Sequence, residues 1–545
     1  MRESFFGLNL AVRGLYTAQR SLNTVNHNIN NVNTPGYSRQ TALQAASKPM
    51  PVYDGTGMIG TGSDIVSIKR VRDEYLDFKY WSENISCGEW EAKRELLLDM
   101  EVMFNEPSES GFTAILNEFF GALQELAKDP SSQAVRALVR EKGVTAAKYF
   151  NSMAAHLEKL QGDVNYRIKT KVDEVNSLAT QIRQLNYQIY IAELDGNSAN
   201  DLRDRRTLLA DRMSRLVNLE ANEVVVGKLP DGRDNRHFVI TVSGKAIVDH
   251  FNMSRLEVMQ RDEAHKLNEG DIFGLYEVRW EDGNSLKVKG GELKGYIDVR
   301  DGNEGVAGLD GITQTPMYKG IPYYIRKLNQ FVRTFAMALN EGYIDRNSNM
   351  LIEPGEDGAG HADGCALDSL PGSGPSGIRF FTILGDDGNP LESSQFIGGA
   401  STVEEICAAY GKMTAKNFSI SMDIMKDLNG ISSSSVPGEV GNIDIVNSML
   451  AMRHNPRMFS EGAPEDFMKS LVATLGIDSQ QAVRFADNIS AVVKQIENRR
   501  LSDSGVSLDE EMANMVKFQH AYNAAARMIV TMSEIYDTLI NKIGL

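Results

Sequence analysis

A seven-residue periodicity occupies both ends of the chain. Near the start Leu8, Leu15, Leu22 and Ile29 recur every seven positions, and Ala11, Ala18, Val25 and Val32 follow each of them by three. Near the end Leu508, Met515, Tyr522, Ile529, Tyr536 and Ile543 keep the same interval, accompanied by Phe518, Ala525, Met532 and Leu539 at the three-residue offset. These are the a and d positions of coiled-coil seams. At about 1.5 Å per residue, helices from Ser4 to Val32 and from Ser507 to Ile543 would run roughly 43 and 55 Å and could pair along most of the shorter one. Small Ala11 and Ala18 permit close approach, while Tyr522 and Tyr536 supply surface that one small bundle covers poorly. Such a pair has little core of its own, so it is expected to be marginal alone and to gain stability when copies pack side by side.

Between the seams the pattern changes several times. Asn33-Thr34-Pro35-Gly36 stops the first helix, a loop is expected as far as Gly62, and Ile65-Val66-Ser67-Ile68 reads as a short strand. From about Trp90 long helical patterns follow, clearest in Val175, Leu178, Ile182, Leu185 and Ile189. From Val217 to Arg300 the period shifts toward two, with Asp231-Gly232 as a hairpin turn between Val224-Val225-Val226 and Phe238-Val239-Ile240. Helical spacing returns at Ile325, Leu328, Val332, Phe335 and Leu339. A Gly/Pro/Ser-rich stretch from Pro354 to Ser376 then marks a border, followed by strand-like Phe380 to Ile383 and a short helix near Val403 to Tyr410. Beyond the breaker at Ser432 to Gly438 the chain reads as helical, with a seam at Ala482, Phe485, Ile489, Val492 and Ile496, and Ser507 and Glu510 have capping-box spacing before the closing helix. The predicted architecture is α+β and mostly α. It comprises a terminal coiled-coil unit (1–50 with 500–545), a long-helix bundle with a β-rich part (51–350 with 426–499), and a small inserted β-containing unit (351–425).

Composition narrows the function classes. A chain of 545 residues with a net charge of -16 lacks the clustered Lys and Arg that phosphate backbones demand, which argues against nucleic acid. No apolar run approaches the roughly 20 residues that span a bilayer, and Met1-Arg2-Glu3-Ser4 does not open a cleavable signal. Three scattered cysteines, Cys87, Cys365 and Cys407, build no disulfide framework and no zinc-ligand pair.

Candidate chemistry is thin. Gly55-Thr56-Gly57-Met58-Ile59-Gly60 matches G-x-G-x-x-G, but a dinucleotide site needs a strand before it and a helix after it, and the flanks offer neither. Asp345, Asn347, Asn349 and Glu356 occupy positions 1, 3, 5 and 12 of an EF-hand loop; Met350 stands where the glycine belongs and Pro354-Gly355 obstructs the helix that should carry Glu356, so a polar loop explains them better. His361, Asp363 and Cys365 lack a second cluster, and pairs such as Glu510-Glu511 or Asp386-Asp387 read as solvated charge. No catalytic site, cofactor site or metal site is predicted.

The segment from Leu22 to Gln40, with Asn30-Asn31-Val32-Asn33-Thr34-Pro35-Gly36-Tyr37-Ser38-Arg39-Gln40 at its heart, resembles the N-terminal signature of the bacterial flagellar axial proteins, the family of rod, hook and junction subunits. Ser504-Gly505-Val506-Ser507-Leu508-Asp509-Glu510-Glu511 and Phe518 to Arg527 resemble the family's other end. Tyr37-Ser38-Arg39-Gln40 and Gly505 to Glu511 resemble the junction type of that family, as do Asn200 to Arg206 and Gly291 to Asp301.

The resemblance implies a structural subunit without enzymatic activity, forming a ring between hook and filament. It implies export through the flagellar type III apparatus to an external or periplasmic flagellum. The partners it implies are further copies, hook protein, a second junction protein on the filament side, and a cytoplasmic export chaperone on the C-terminal segment, with neither nucleic acid nor membrane insertion. Leu8, Leu15, Leu22, Val25, Ile29, Val32, Met515, Phe518, Tyr522, Ile529, Met532, Tyr536 and Leu539 are the expected assembly interface. The alternatives are a hook or distal rod subunit and, further off, an enzyme lodged around His361 to Cys407.

Overall fold

The computed structural model describes residues 5–51, 57–104, 111–228, 232, 234–309, 311, 313–345, 352 and 358–542, of residue 542 the backbone alone. Helix α1 (Phe6–Asn30) ends ahead of the Pro-Gly pair, where Gly36 takes a φ of +76°. The expected loop to Gly62 is instead a hairpin arm. Strand β1 (Gln40–Ala46) leads to β2 (Met50–Pro51), which pairs with β3 (Met58–Ile59), and β4 (Ser63–Arg70) returns antiparallel along β1. Its strands show little apolar alternation because polar contacts fasten them to α1: Thr17 Oγ1 donates to the Ser63 carbonyl at 2.8 Å and Gln44 Nε2 to Ser21 Oγ at 3.0 Å. Gly57 to Gly60 lie in this arm, with no helix after them, and Gly55 and Thr56 fall outside the described residues.

Helix α2 (Glu74–Phe104) begins well before Trp90, its early turns disguised by buried Asp77 and Asn84. Helices α3 (Phe112–Lys128), α4 (Gln133–Glu193) and α5 (Asn200–Leu216) follow, and α4 buries Val175, Leu178, Ile182, Leu185 and Ile189 as its pattern requires. A sheet of order β5-β6-β7-β8 comprises β5 (Leu219–Lys228), β6 (Asp234–Val242), β7 (Lys245–Asp249) and β8 (Asn252–Met253). Val224 lies opposite His237 across the turn at Gly232. Strands β9 (Leu256–Gln260) and β10 (Tyr276–Trp280) form a separate pair. The β-rich stretch does not extend to Arg300, because its end is helix α6 (Glu292–Asp301). Glycines put it there: a side chain on Gly295 would stand 2.6 Å from the Glu89 carbonyl of α2, and Gly291, at φ +85°, lies against the Leu216 carbonyl.

Helix α7 (Ile321–Glu341) is buried along almost its whole length. Strand β11 (Phe381–Ile383), helices α8 (Ser393–Ile397) and α9 (Val403–Gly411), strand β12 (Phe418–Ile420) and helices α10 (Met422–Lys426), α11 (Asp444–Met452), α12 (Pro464–Ser504) and α13 (Leu508–Asp537) complete the order. The fold is α+β and mostly α. Phe331 of α7 stacks on Phe459 at 5.2 Å, on Phe335 at 5.5 Å and on Phe150 of α4 at 5.2 Å. Phe119 of α3 meets Phe380 and Phe381 at 5.7 and 5.8 Å, so the segment after the Gly/Pro/Ser-rich stretch shares its core with the helices.

Helix α12 packs along α2. Leu471, Leu475, Ser479, Ala482, Ala486 and Ile496 form its buried face, whereas Phe485 and Val492, expected in that seam, are each 40% exposed. Of the expected seam, Ala482 and Ile496 are buried and Phe485 packs on Trp90 of α2 with ring centres 4.6 Å apart, so the pattern marks this contact in part.

Candidate functional site: the terminal helix pair and its polar joint

Helices α1 and α13 lie antiparallel along each other. Phe5 meets Tyr536 with ring centres 5.2 Å apart, a side chain on Gly7 would touch Met532, Gly14 faces Ala525, and Asn28 bonds Glu511. On α1 the buried positions are Ala11, Thr17, Ala18, Ser21, Thr24, Val25 and Asn28. Gly7, Gly14 and Asn28 therefore face α13, each one residue before an expected position, while Ala11, Ala18 and Val25, expected at the three-residue offset, are buried. Leu8, Leu15, Leu22 and Ile29 are partly buried on the flank of the contact, and Val32 lies past the helix end.

On α13 Met515, Phe518, Tyr522, Ile529, Met532 and Tyr536 are partly buried, and Leu539, in the closing π-helical turn, is 52% exposed. Ile543 is outside the described residues. Glu511 is the one buried residue of α13. Met512, Val516, Met528, Val530 and Ile535 are exposed apolar positions on the same helix. This helix is thus held to the body from one side.

The two ends meet the body in a network of buried polar groups. Asn28 sits at its centre. Its Nδ2 donates to the Gln40 carbonyl at 2.9 Å and to Glu511 at 3.0 Å, while its Oδ1 accepts the Gln40 N–H at 2.9 Å and the Tyr37 hydroxyl at 2.8 Å. Burial, aided by Asp201, Asp204 and Glu511, holds the Tyr37 phenol above its ordinary pKa, so it stays a donor. Arg39 reaches Glu511 and Glu510 at 2.8 Å each, and its backbone N–H donates to the Ser504 carbonyl at 2.7 Å. Ser507 does occupy the N-cap of α13, but the expected capping box is absent, because Glu510 is drawn to Arg39 instead.

The second half of the joint grips α5. Ser38 donates both its backbone N–H and its hydroxyl to Asp204 at 2.8 Å, and Arg70 adds a bond to the same carboxylate at 2.9 Å. Gln40 Nε2 donates to Asp201 at 2.6 Å. Arg72 pairs with Asp77 through two of its guanidinium nitrogens and reaches Ser38 with the third, and Arg500 of α12 bridges Asp77 and Asp211 at 2.9 Å each. Segments more than a hundred residues apart thus share one set of charge-assisted bonds, which are the strong ones.

The candidate chemical residues have structural employment. His361 is fully buried, donates from Nδ1 to the Ile378 carbonyl at 2.7 Å, and accepts the Ser432 N–H on Nε2 at 2.9 Å. Asp363 accepts the Gly360 N–H, and Cys365, Cys87 and Cys407 are buried free thiols. Among the described residues no three His, Cys, Asp or Glu stand together as metal ligands, and no helix is long and apolar enough to cross a membrane. Of the EF-hand positions Asp345 is buried, and Asn347, Asn349 and Glu356 lie outside the described residues.

Burial pushes the His361 pKa down to about 4. In the unfolded chain a histidine titrates near 6.5, so between these values the unfolded state holds the extra proton. Stability from this group is whole above about pH 6.5 and falls as the pH drops toward 4, by at most about 1.4 kcal/mol per pH unit. Urea midpoints compared at about pH 7.5 and about pH 5 should differ less in His361→Gln, which keeps a donor and an acceptor but does not titrate. An equal difference in both proteins would contradict the assignment.

Both ends of the chain match family models of flagellar rod proteins: "Flagella basal body rod protein" over residues 8–37 and "Flagellar basal body rod FlgEFG protein C-terminal" over residues 497–542. With both terminal helices matching rod-protein models, the chain falls in the class of flagellar axial proteins. Residues 97–343 match "Flagellar hook-associated protein FlgK helical domain". The chain is 30% identical over 558 residues to flagellar hook-associated protein 1 of Bacillus subtilis (strain 168), covering 100% of this chain and 99% of that protein. It is 23% identical over 575 residues to the protein of that name from Escherichia coli (strain K12), covering 98% and 99%. The chain belongs to the flagellar hook-associated protein 1 family. The solved structure of the flagellar hook junction protein FlgK from Burkholderia pseudomallei has a like fold, with a TM-score of 0.52 at 13% identity, covering 80% of this chain and 100% of that one.

Proposed function

We propose that this protein is the hook–filament junction subunit of a flagellum, a structural adaptor that forms a ring at the distal end of the hook and allows the flagellin filament to grow. What carries the reading is the family relationship along the whole chain, in which the helical stretch 97–343 goes beyond the termini shared with rod proteins. The terminal helix pair supports it physically. Met512, Val516, Met528, Val530 and Ile535 of α13 stay exposed in the single subunit and the leucines on the flank of α1 are only partly buried, and lateral packing of further copies removes them from water.

The assembly surface in this reading comprises Leu8, Leu15, Leu22, Val25, Ile29 and Val32 on the N-terminal side, and Met515, Phe518, Tyr522, Ile529, Met532, Tyr536 and Leu539 on the C-terminal side. Hook protein lies below the ring and a second junction protein above it. A cytoplasmic chaperone covers α13 before export through the type III apparatus, since its exposed apolar residues would otherwise aggregate. Deleting the gene tests the reading: hooks should persist without filaments while flagellin is lost to the medium. Cells lacking hooks altogether would assign the protein to the hook or rod instead.

A further inference from the structure

We propose that the groove between α4 and α5 is the seat of a second copy of this chain, which presents to it the acidic, aromatic start of its α2. The proposal rests on the ring reading above and adds a contact outside the terminal helices. The groove measures about 380 Å³ and is lined by Gln181, Gln184 and Gln188 on the α4 side and by Arg205, Leu208 and Arg212 on the α5 side. That volume falls within the roughly 300–1,000 Å³ of binding clefts. A side chain on Gly36 would stand 3.2 Å from Leu208 Cβ, so the groove opens directly behind the end of α1 and adjoins the terminal helices.

Its charge sets the groove apart in a chain whose net charge is -16. From Val175 to Ala192 helix α4 carries no Asp, Glu or Lys, and its single Arg is Arg183. On α5, Arg205 and Arg212 are exposed and make no ion pair among the described residues, whereas Arg203, Arg206 and Arg215 are paired with Glu193, Glu223 and Glu292. The carboxylates of α5 are engaged elsewhere: Asp201 by Gln40 and His27, Asp204 by Ser38 and Arg70, Asp211 by Trp81 and Arg500. Asp204 and Asp211 each precede one of the two free arginines by one position, about 100° around the helix, so acid turns toward the joint and base toward the groove. Arginine without lysine or acid beside it is the composition of a protein contact.

The complement lies where α2 begins. Tyr75 is 71% and Phe78 46% exposed, and Asp73, Glu74 and Asp503 beside them are exposed and make no ion pair among the described residues. Arg39 ties these segments together: its carbonyl accepts the Val71 N–H at 2.7 Å, and its own N–H donates to the Ser504 carbonyl at 2.7 Å. With Lys79 as the exposed base of the same turns, the patch keeps a net negative charge. Helix α5 meets α2 through Asp211 and Trp81 and meets α4 at the groove, so patch and groove lie on different flanks of it. A contact between them joins unlike faces of successive copies, the kind that closes into a ring. The exposed aromatic rings are the anchors, and the opposite charges around them set the register.

The test crosslinks neighbouring copies in filament-bearing hooks from cells whose chain carries Tyr75→Cys together with Arg212→Cys. The chain's own cysteines are buried, so a short bismaleimide reacts at the two introduced positions. The double variant should give a ladder at multiples of the chain's mass, and either single variant monomers alone. Filaments on these hooks show that the ring has formed, so monomers alone from the double variant would overturn the groove contact while the ring reading stands. Bands that are not multiples of the chain would assign the groove to another protein and overturn it equally. Should the cysteines stop filament growth, charge reversal decides. Arg205→Glu with Arg212→Glu, both at exposed positions, should leave the chain melting near wild type and remove most filaments, and Glu74→Arg with Asp503→Arg added to the same chain should restore them. Filaments unaffected by the first pair, or not restored by the second, would overturn the proposal.

Discussion

Asp204→Ala should release the terminal helix pair from the body at a cost of about 3–5 kcal/mol, the range for stranding a buried charged partner. Asp204 is 4% exposed and takes three bonds, two from Ser38 and one from Arg70. Without it the Ser38 N–H, in a fully buried residue, and the Arg70 guanidinium lose their acceptor together. Trypsin cleavage at Arg39, Arg70 and Arg72 and hydrogen exchange across α1 and α13 would read the release, while the aromatic core around Phe331 keeps its protection. Glu510→Ala is the control, because its side chain is 60% exposed and such pairs are worth about 0–1 kcal/mol. Equal protection of α1 in Asp204→Ala and wild type would show that the joint does not hold the pair.

That joint was out of reach of any periodicity. Its bonds connect Ser38 to Asp204 and Asn28 to Glu511, across 166 and 483 residues, and hydrogen-bond partners at such separations leave no local pattern. The segments that carry the family resemblance, Tyr37 to Gln40, Asn200 to Arg206 and Gly505 to Glu511, supply the polar network, which gives a physical reason for them. Long buried helices were legible because α4 and α7 bury large apolar residues at helical spacing. On α1 the pattern marks Ala11, Ala18 and Val25, which are buried, but passes over Gly7 and Gly14, which carry no hydrophobic signal although their size is what lets α13 approach. On α12 the pattern likewise marks Ala482 and Ile496, which are buried, and passes over buried Ser479 and Ala486. Leucines beside a small-residue contact are legible as hydrophobic, yet the pattern alone does not say whether they face the same chain or another copy.

Leu22→Asp separates those two uses. Leu22 is partly buried on the flank of α1, so an aspartate there can turn toward water in the single subunit, and the melting temperature of the purified protein should change little. In a ring the same carboxylate would be enclosed by a neighbouring copy without a partner, a loss of several kcal/mol repeated in every subunit. Filaments should therefore disappear from cells carrying Leu22→Asp, with hooks still present. Ile529→Asp, on the α13 side of the contact, should cost more in the isolated protein, because it also sits against α1, and should abolish filaments as well. The informative comparison is the ratio of the two losses: Leu22→Asp near wild type in melting but without filaments places the leucine stripe between subunits. Normal swimming with Leu22→Asp would refute that placement, and the stripe would then serve only to cover the side of α1 within one chain.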